Sequence, residues 1–151
     1  ILYMKKYITM TKKMITKIVS GYLIDPWEQK VEKVTLPNNN NEKIYELIGA
    51  RPFEVVSVNK KMDGIFVDEE GLYREMKCPW LLSTDWGKQA LVNRGLMLGM
   101  DQDGESTSPR ESLKKFMERV QFGEDAFQGF LNKEVFKDYK PEIYGKESDD
   151  S

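Results

Sequence analysis

The stretch from Gly95 to Glu111 constrains the fold more than any other part of the chain. It joins an apolar segment, an acidic glycine turn at 101–105 and a helix start. Leu91 to Met100 is almost entirely apolar, which predicts a buried strand whose glycines permit close backbone approach. After the turn, Ser108 precedes Pro109, and Glu111 is placed to complete a capping box. This pattern predicts a helix at 109–122 that buries one apolar stripe and ends at Gly123, the stripe being Leu113, Phe116, Met117 and Val120.

The chain before this stretch predicts two β-hairpins. β-Branched residues from Met14 to Ile24 and again from Val31 to Leu36 flank a turn that begins at Asp25. Phe53–Val58 and Ile65–Val67 flank a second turn, in which Asp63 and Gly64 tolerate positive φ. Leu72 and Tyr73 are expected to add a short strand.

One short helix is expected between the two hairpins, near 42–48. Asn41 is its expected N-cap and Gly49 its stop. Residues 74–90 give no clear secondary-structure signal, because Pro79 weakens any helix there. The predicted fold class is therefore α+β: two β-hairpins and a further buried strand in a mostly antiparallel sheet, with a short helix near 42–48 and a helix at 109–122.

The predicted domain organisation has four parts. Residues 1–13 hold four lysines and no acid, and Met14 follows them, so we interpret them as an extension or alternative start. A basic arm for a membrane surface or nucleic acid is the competing interpretation. Residues 14–122 form the α+β domain. Residues 123–145 are rich in aromatic side chains and are expected to form a C-terminal helix or docking tail, and 146–151 a disordered acidic tail.

Composition excludes several function classes. The chain has no histidine, so histidine-based triads and the usual zinc sites are impossible. Cys78 is the single cysteine, which rules out an intrachain disulfide, and we expect it to be inert because no base adjoins it in sequence. No apolar run reaches the length of a membrane span, and we expect no membrane partner. No cofactor is predicted.

The acidic turn offers candidate metal ligands, Asp101, Asp103 and Glu105. An EF-hand loop that began at Asp101 would need glycine at its sixth position and glutamate at its twelfth, but Ser106 and Ser112 occupy them. A carboxylate cluster with 68–70 is a second possibility, since both groups follow strands that are candidates for neighbours. The prediction is no metal site, with these three residues as weak candidates.

Aromatic residues beside turns and in the tail are candidate partner contacts. Tryptophan usually packs in a core, although loop tryptophans also anchor interfaces. The candidates are Trp80, Trp86, Phe127, Phe130, Phe136 and Tyr139.

Four blocks in fixed order resemble a known family. They are Ile44-Tyr-Glu-Leu-Ile-Gly49, Phe53-Glu-Val-Val56, Ile65-Phe-Val-Asp-Glu-Glu-Gly-Leu72 and the run from Gly95 to Glu105. Over about residues 14–120 the chain resembles a domain-of-unknown-function family of small phage, plasmid and metagenome proteins. The resemblance implies an accessory phage or mobile-element protein in a bacterial cytoplasm, and it carries no catalytic residues.

Three functions follow as hypotheses. The first is a non-catalytic accessory protein, not an enzyme, that binds a host or phage protein. The second is a nucleic-acid-binding protein, because residues 1–61 carry 11 basic and 6 acidic side chains, a net charge of +5. The third is a metal-dependent hydrolase or a nucleotide-sequestering protein. The sequence leaves the oligomeric state open.

Overall fold

The computed structural model describes residues 17–125 and residue 128. This part of the chain is an α+β fold with two antiparallel sheets, which confirms the predicted class. In chain order its elements are β1 (Ile18–Asp25), β2 (Lys30–Pro37), α1 (Asn41–Ile48), β3 (Phe53–Ser57), β4 (Asp63–Asp68), a 3-10 turn (Gly71–Tyr73), β5 (Pro79–Thr84), β6 (Gly87–Val92), β7 (Gly95–Met100), β8 (Ser106–Thr107), α2 (Leu113–Met117) and β9 (Val120–Phe122).

The larger sheet is built around β7. Its strand order is β2-β1-β7-β4-β3, and β8 pairs with the last residues of β7. Met97 lies between Tyr22 of β1 and Ile65 of β4 in the two registers. Every residue of β7 except Met100 is buried, as expected of an apolar strand that has a neighbouring strand on each side. A Cβ at Gly99 would lie 2.6 Å from the carbonyl oxygen of Ser108, so only glycine allows this approach.

The larger sheet buries side chains on both faces. Helix α1 covers one face, over a cluster consisting of Val19, Leu23, Leu36, Ile44, Ile48, Leu96 and Leu98. The smaller sheet, in the order β6-β5-β9, covers the other face together with α2. This second cluster consists of Tyr22, Ile24, Val58, Ile65, Val67, Trp80, Leu82, Leu91, Met97 and Phe116. The domain is therefore layered as helix, sheet and sheet.

Helix α1 follows the expected design with a shift of one residue at its start. Asn40, not Asn41, is the N-cap, and its Oδ1 accepts the backbone N–H of Lys43 at 3.0 Å. Gly49 ends the helix with φ 73°, the left-handed conformation expected of a glycine stop. Ile44 and Ile48 share the buried face.

The helix predicted at 109–122 exists only as the shorter α2, Leu113–Met117, so its predicted bounds are wrong. The carboxylate of Asp63, and not the hydroxyl of Ser108, accepts the backbone N–H groups of Arg110 at 2.9 Å and Glu111 at 3.0 Å, and neither residue is helical. Helix α2 therefore begins only at Leu113, capped by Ser112. Ser108, the expected cap, instead accepts the backbone N–H of Ser20 with its Oγ at 2.8 Å.

The end of that predicted helix also differs. Val120 lies in β9, which pairs with β5, and Gly123 follows that strand with φ 104° instead of ending a helix. Of the predicted apolar stripe, Phe116 is fully buried, whereas Met117 is 49% exposed. The sequence pattern therefore identified the buried phenylalanine but not the strand after it.

Smaller predictions need correction too. Leu72 and Tyr73 belong to the 3-10 turn and not to a strand. The strand predicted from Leu91 to Met100 is divided in two. Leu91 belongs to β6, and Asn93, with φ 69°, turns the chain before β7 begins. The positive φ of the second hairpin falls on Met62, at 72°, while Asp63 and Gly64 belong to β4 and pair with β7.

The β5–β6 hairpin was not predicted at all.

Within the described residues, no helix is long and apolar enough to cross a bilayer. The predicted extension at 1–13 and acidic tail at 146–151 lie outside the described residues, as does most of the tail at 123–145.

Candidate functional site

An apolar groove lies on the face of the larger sheet that α1 covers only in part. Helix α1 lies against β4 and β7, and a groove of about 790 Å³ lies beside it over β3, β4 and the end of β7. We call it the β3 groove. Its apolar lining includes Val55, Phe66 and Met100 from the sheet, together with Met62 and Trp86 from two hairpin turns. Val55 is 48% exposed, Met62 53% and Trp86 61%. Adjoining exposed apolar side chains of this kind often mark interaction surfaces.

The outer edge of β3 presents backbone groups without a strand partner in the described part of the chain. The N–H of Val58 donates to Asp63 at 3.0 Å, and the N–H of Glu69 donates to Pro52 at 3.0 Å. Backbone groups in an antiparallel pair alternate in direction, so the even-numbered residues of β3 face β4. The N–H and C=O groups of Phe53, Val55 and Ser57 therefore point outward.

The same three residues place their side chains in the β3 groove, because alternate side chains of a strand share a face. Val56, between them, packs against the other core cluster. The outward backbone groups and the apolar groove thus belong to one continuous surface.

The opposite edge of the larger sheet is protected in a way that β3 is not. Strand β2 carries Lys30, Glu32 and Lys33, all exposed, and Lys30 pairs with Glu32 at 3.5 Å. Charged side chains on an edge strand disfavour pairing with another chain. The only charged residue of β3 is Glu54.

The two turns that flank the groove are held in place. Asn59 Oδ1 accepts the N–H groups of Lys61 at 2.9 Å and Asp63 at 3.2 Å, which fixes the tight turn around Met62. Asp85 joins the two hairpins, since its N–H donates to Val58 at 2.9 Å and its Oδ2 accepts the N–H of Lys60 at 3.0 Å. The positions of Met62 and Trp86 are therefore set before any partner binds.

A buried polar cluster underlies these turns. Asp63 and Glu111 are 2% and 3% exposed, and the amide of Asn59 donates to both. Arg119 pairs with Glu111 and Asp85, and both carboxylates raise its pKa. The hydrogen bonds from Arg119 and from the backbone of Lys60 lower the pKa of Asp85. The hydrogen-bond donors and acceptors of this cluster are paired with one another, so we assign the cluster a structural role.

The structure places the predicted aromatic contacts in different environments. Trp86 lies on the β3 groove, whereas Trp80 is fully buried and its indole N–H donates to the carbonyl of Asn93 at 2.8 Å. Trp80 is therefore a core residue, and its assignment as a partner contact is wrong. The remaining candidates lie outside the described residues: Phe127, Phe130, Phe136 and Tyr139.

The candidate metal ligands do not form a cluster. Asp101 Oδ1 accepts the N–H groups of Asp103 and Glu105, both at 2.9 Å, so this carboxylate stabilises its own turn. Asp68 lies at the other end of the sheet, because β4 and β7 run antiparallel. The two acidic groups follow antiparallel neighbouring strands, so they lie at opposite ends of the sheet. No group of metal-ligating side chains occurs within the described residues.

Sequence reasoning missed most of the groove. Val55, Met62, Phe66 and Met100 come from three strands and a turn, and only tertiary pairing brings them together. Two features of the sequence point to this surface: Trp86, an aromatic residue between turn residues, and the low charge of the segment that forms β3.

The comparisons with known proteins give a family and no function. The chain belongs to the family described as "Domain of unknown function (DUF3846)", whose pattern matches residues 18–121, more than half of the sequence. No curated protein matches the chain. No solved structure matches it either.

Proposed function

We propose that this DUF3846 protein is a binding module that adds an extended segment of a partner protein to the edge of β3. One observation carries the proposal: the outward backbone groups of Phe53, Val55 and Ser57 border an apolar groove into which their own side chains point. Strand addition of this kind takes its affinity from main-chain hydrogen bonds and its specificity from pockets for alternate side chains.

The lining of the groove indicates which partner segment fits. A strand paired with β3 would direct every second side chain toward Phe66, Met62 and Trp86. These positions favour aliphatic or aromatic side chains. Methionine side chains adapt their shape, so the groove would accept related apolar side chains instead of a single one. The partner is therefore an extended segment with apolar residues at alternate positions.

The proposal includes the setting that the family resemblance implies. We infer an accessory protein of a phage or mobile element that acts in a bacterial cytoplasm on a host or phage protein. We propose no catalytic step at the β3 groove, because its lining is mainly apolar. The nucleic-acid alternative has less support, since residues 17–61, the described part of the basic half, carry seven basic and six acidic side chains, and three of the basic ones are paired with acids, in Lys30–Glu32, Lys43–Glu46 and Arg51–Glu42.

A peptide-library selection on the immobilised full-length protein tests the proposal. We expect the selected peptides to carry apolar residues at alternate positions. In amide hydrogen exchange by NMR, the N–H of Val55 should exchange freely without peptide and become protected with it, because it points outward from β3. The N–H of Val56 already faces β4 and should change little.

Matched variants separate groove binding from general stickiness. Val55→Lys and Trp86→Ala should each weaken peptide binding by about tenfold or more, the usual loss at a central apolar contact. Ile18→Lys also adds a lysine at an exposed apolar position, 60% exposed, but on β1 away from the groove, and it should bind like the wild type. Peptides that lack the alternating pattern, or equal binding by all three variants, would contradict strand addition at β3.

A further inference from the structure

We propose that a second cleft, at the C-terminal end of α1, binds the phosphate of a mononucleotide-sized phosphomonoester. The cleft has a volume of about 460 Å³, within the usual range for small-molecule sites. Its lining includes Arg74, Arg94 and Asp68, with Trp27 and Met76 as apolar walls. Asp68 at the end of β4 and the turn before β7 line it, at the end of the larger sheet away from Met62, so it is distinct from the β3 groove.

Arg94 is fixed at the cleft by the turn before β7. Asn93 adopts a positive φ of 69°, and its side-chain carbonyl accepts the N–H of Cys78 at 2.8 Å. Arg94 then lies over the ring of Trp27, at 5.0 Å from the ring centre, and its Nε donates to Asp25 at 3.3 Å. Among the described residues, its two terminal nitrogens have no hydrogen-bond partner. These two nitrogens are therefore available to donate hydrogen bonds to a ligand in the cleft.

Arg74 is held by a buried carboxylate in a similar way. Its Nε donates to Asp68 Oδ2 at 2.7 Å, and its Nη2 donates to Asp68 Oδ1 and to the carbonyl of Arg51, both at 3.1 Å. Asp68 is 7% exposed, whereas the Arg74 side chain is 40% exposed. Asp68 therefore orients the guanidinium of Arg74, whose Nη1 has no hydrogen-bond partner among residues 17–125.

The guanidinium groups and the apolar walls together select the ligand class. Arg74 and Arg94 line the cleft with Asp68, and each is ion-paired, Arg94 with Asp25 at 3.3 Å and Arg74 with Asp68 at 2.7 Å and Glu70 at 3.8 Å, so the cleft offers oriented hydrogen-bond donors and no excess of positive charge. Guanidinium groups bind phosphate through paired hydrogen bonds, and a phosphomonoester offers three acceptor oxygens to two such groups. Trp27 is 41% exposed and Met76 72%, so both can contact a ring attached to the phosphate.

Titration of the full-length protein with adenosine monophosphate, adenosine and inorganic phosphate tests the inference. We expect saturable NMR shifts of the Gly49 and Ala50 amides and of the Arg94 Nε–H with adenosine monophosphate at millimolar concentration or below. Adenosine should bind at least about tenfold more weakly, because it lacks the charge-assisted hydrogen bonds. Inorganic phosphate should shift the same signals with lower affinity than the nucleotide.

Variants make the result specific to the cleft. Arg94→Gln should weaken nucleotide binding by about tenfold or more, whereas Arg110→Gln, an exposed arginine near Asp63, should leave it unchanged. Circular dichroism checks that each variant is folded, and Arg74→Gln provides a second test at the other guanidinium. Absence of saturable shifts, equal affinity for adenosine, or unchanged binding by folded Arg94→Gln and Arg74→Gln would overturn the inference. None of these outcomes bears on peptide binding at β3.

Discussion

Arg119 and Glu111 form a two-point ion pair, with Nε 2.7 Å from Oε2 and Nη2 3.0 Å from Oε1. Both side chains are largely buried, at 15% and 3% exposed. Arg119 also donates to the carbonyl of Ser83 in the smaller sheet, and Tyr22 of the larger sheet donates to the carbonyl of Glu111 at 2.6 Å. This pair therefore fastens the segment before β9 to both sheets at once.

Loss of this ion pair should destabilise the protein strongly. Glu111→Ala leaves the buried Arg119 without its main partner, so we expect the free energy of unfolding to fall by about 3–5 kcal/mol. Urea denaturation followed by circular dichroism measures the change. Glu32→Ala, which breaks the exposed pair with Lys30, is the control and should cost no more than about 1 kcal/mol. Similar losses of unfolding free energy in the two variants would show that the buried pair contributes no more to stability than the exposed one.

The pair between Arg119 and Asp85 should make stability depend on pH in the acid range. Arg119 and Lys60 lower the pKa of Asp85 in the folded protein, below the value of about 3.9 expected of an unfolded aspartate. Because the folded pKa is the lower one, this stabilisation is complete above the unfolded pKa and is lost as pH falls through the folded value.

Asp85→Asn should therefore be less stable than the wild type at pH 7, and the difference should shrink as the pH is lowered past the pKa of Asp85. Urea midpoints of the two proteins across the acid range measure this. A difference that stays constant down to the lowest pH at which both proteins fold would contradict an ionised role for Asp85.

Elements with a strong local signal were predictable from sequence. The β1–β2 hairpin follows from β-branched runs on both sides of Asp25, whose Oδ1 accepts the N–H groups of Trp27 and Glu28 as expected of a turn residue. Helix α1 follows from the spacing of Ile44 and Ile48 and from Gly49. In each case the interactions that decide the structure lie within a few residues in sequence.

The errors arose where distant residues decide the local structure. Ser108 and Pro109 have the pattern of a helix start, but Asp63, far away in sequence, accepts the N–H groups of Arg110 and Glu111 that Ser108 would cap. Pro79 looks like a loop residue, yet Pro79–Thr84 is a strand that pairs along its whole length with β6 and, at its centre, with the more distant β9. The β3 groove was unpredictable for the same reason, since it exists only after β3, β4 and β7 pair.

Cys78 should react slowly with alkylating reagents. Burial raises the pKa of this thiol, and the nearby carboxylates of Asp25 and Glu124 raise it further. The thiolate is the reactive form, so the folded protein should be alkylated by iodoacetamide near neutral pH more slowly than the protein unfolded in urea. Mass spectrometry over time measures both rates. Equal rates would show that the folded environment does not suppress the thiolate.

The two tryptophans of the β5–β6 hairpin should differ sharply in their contribution to stability. Trp80 is fully buried between the sheets, so Trp80→Ala should lower the free energy of unfolding by about 3–5 kcal/mol. Trp86 is 61% exposed, and Trp86→Ala should change it by no more than about 0.5 kcal/mol. Urea denaturation of both variants measures the contrast.

Trp80→Phe refines this test, because it keeps most of the apolar contact but removes the indole N–H that donates to Asn93. It should cost about 1–3 kcal/mol, the usual result of leaving a buried carbonyl unpaired. A large loss from Trp86→Ala would mean that Trp86 supports the fold, and its effect on peptide binding would then lose its meaning as a test of the β3 groove. A small loss leaves Trp86 available for a partner, as strand addition at β3 requires.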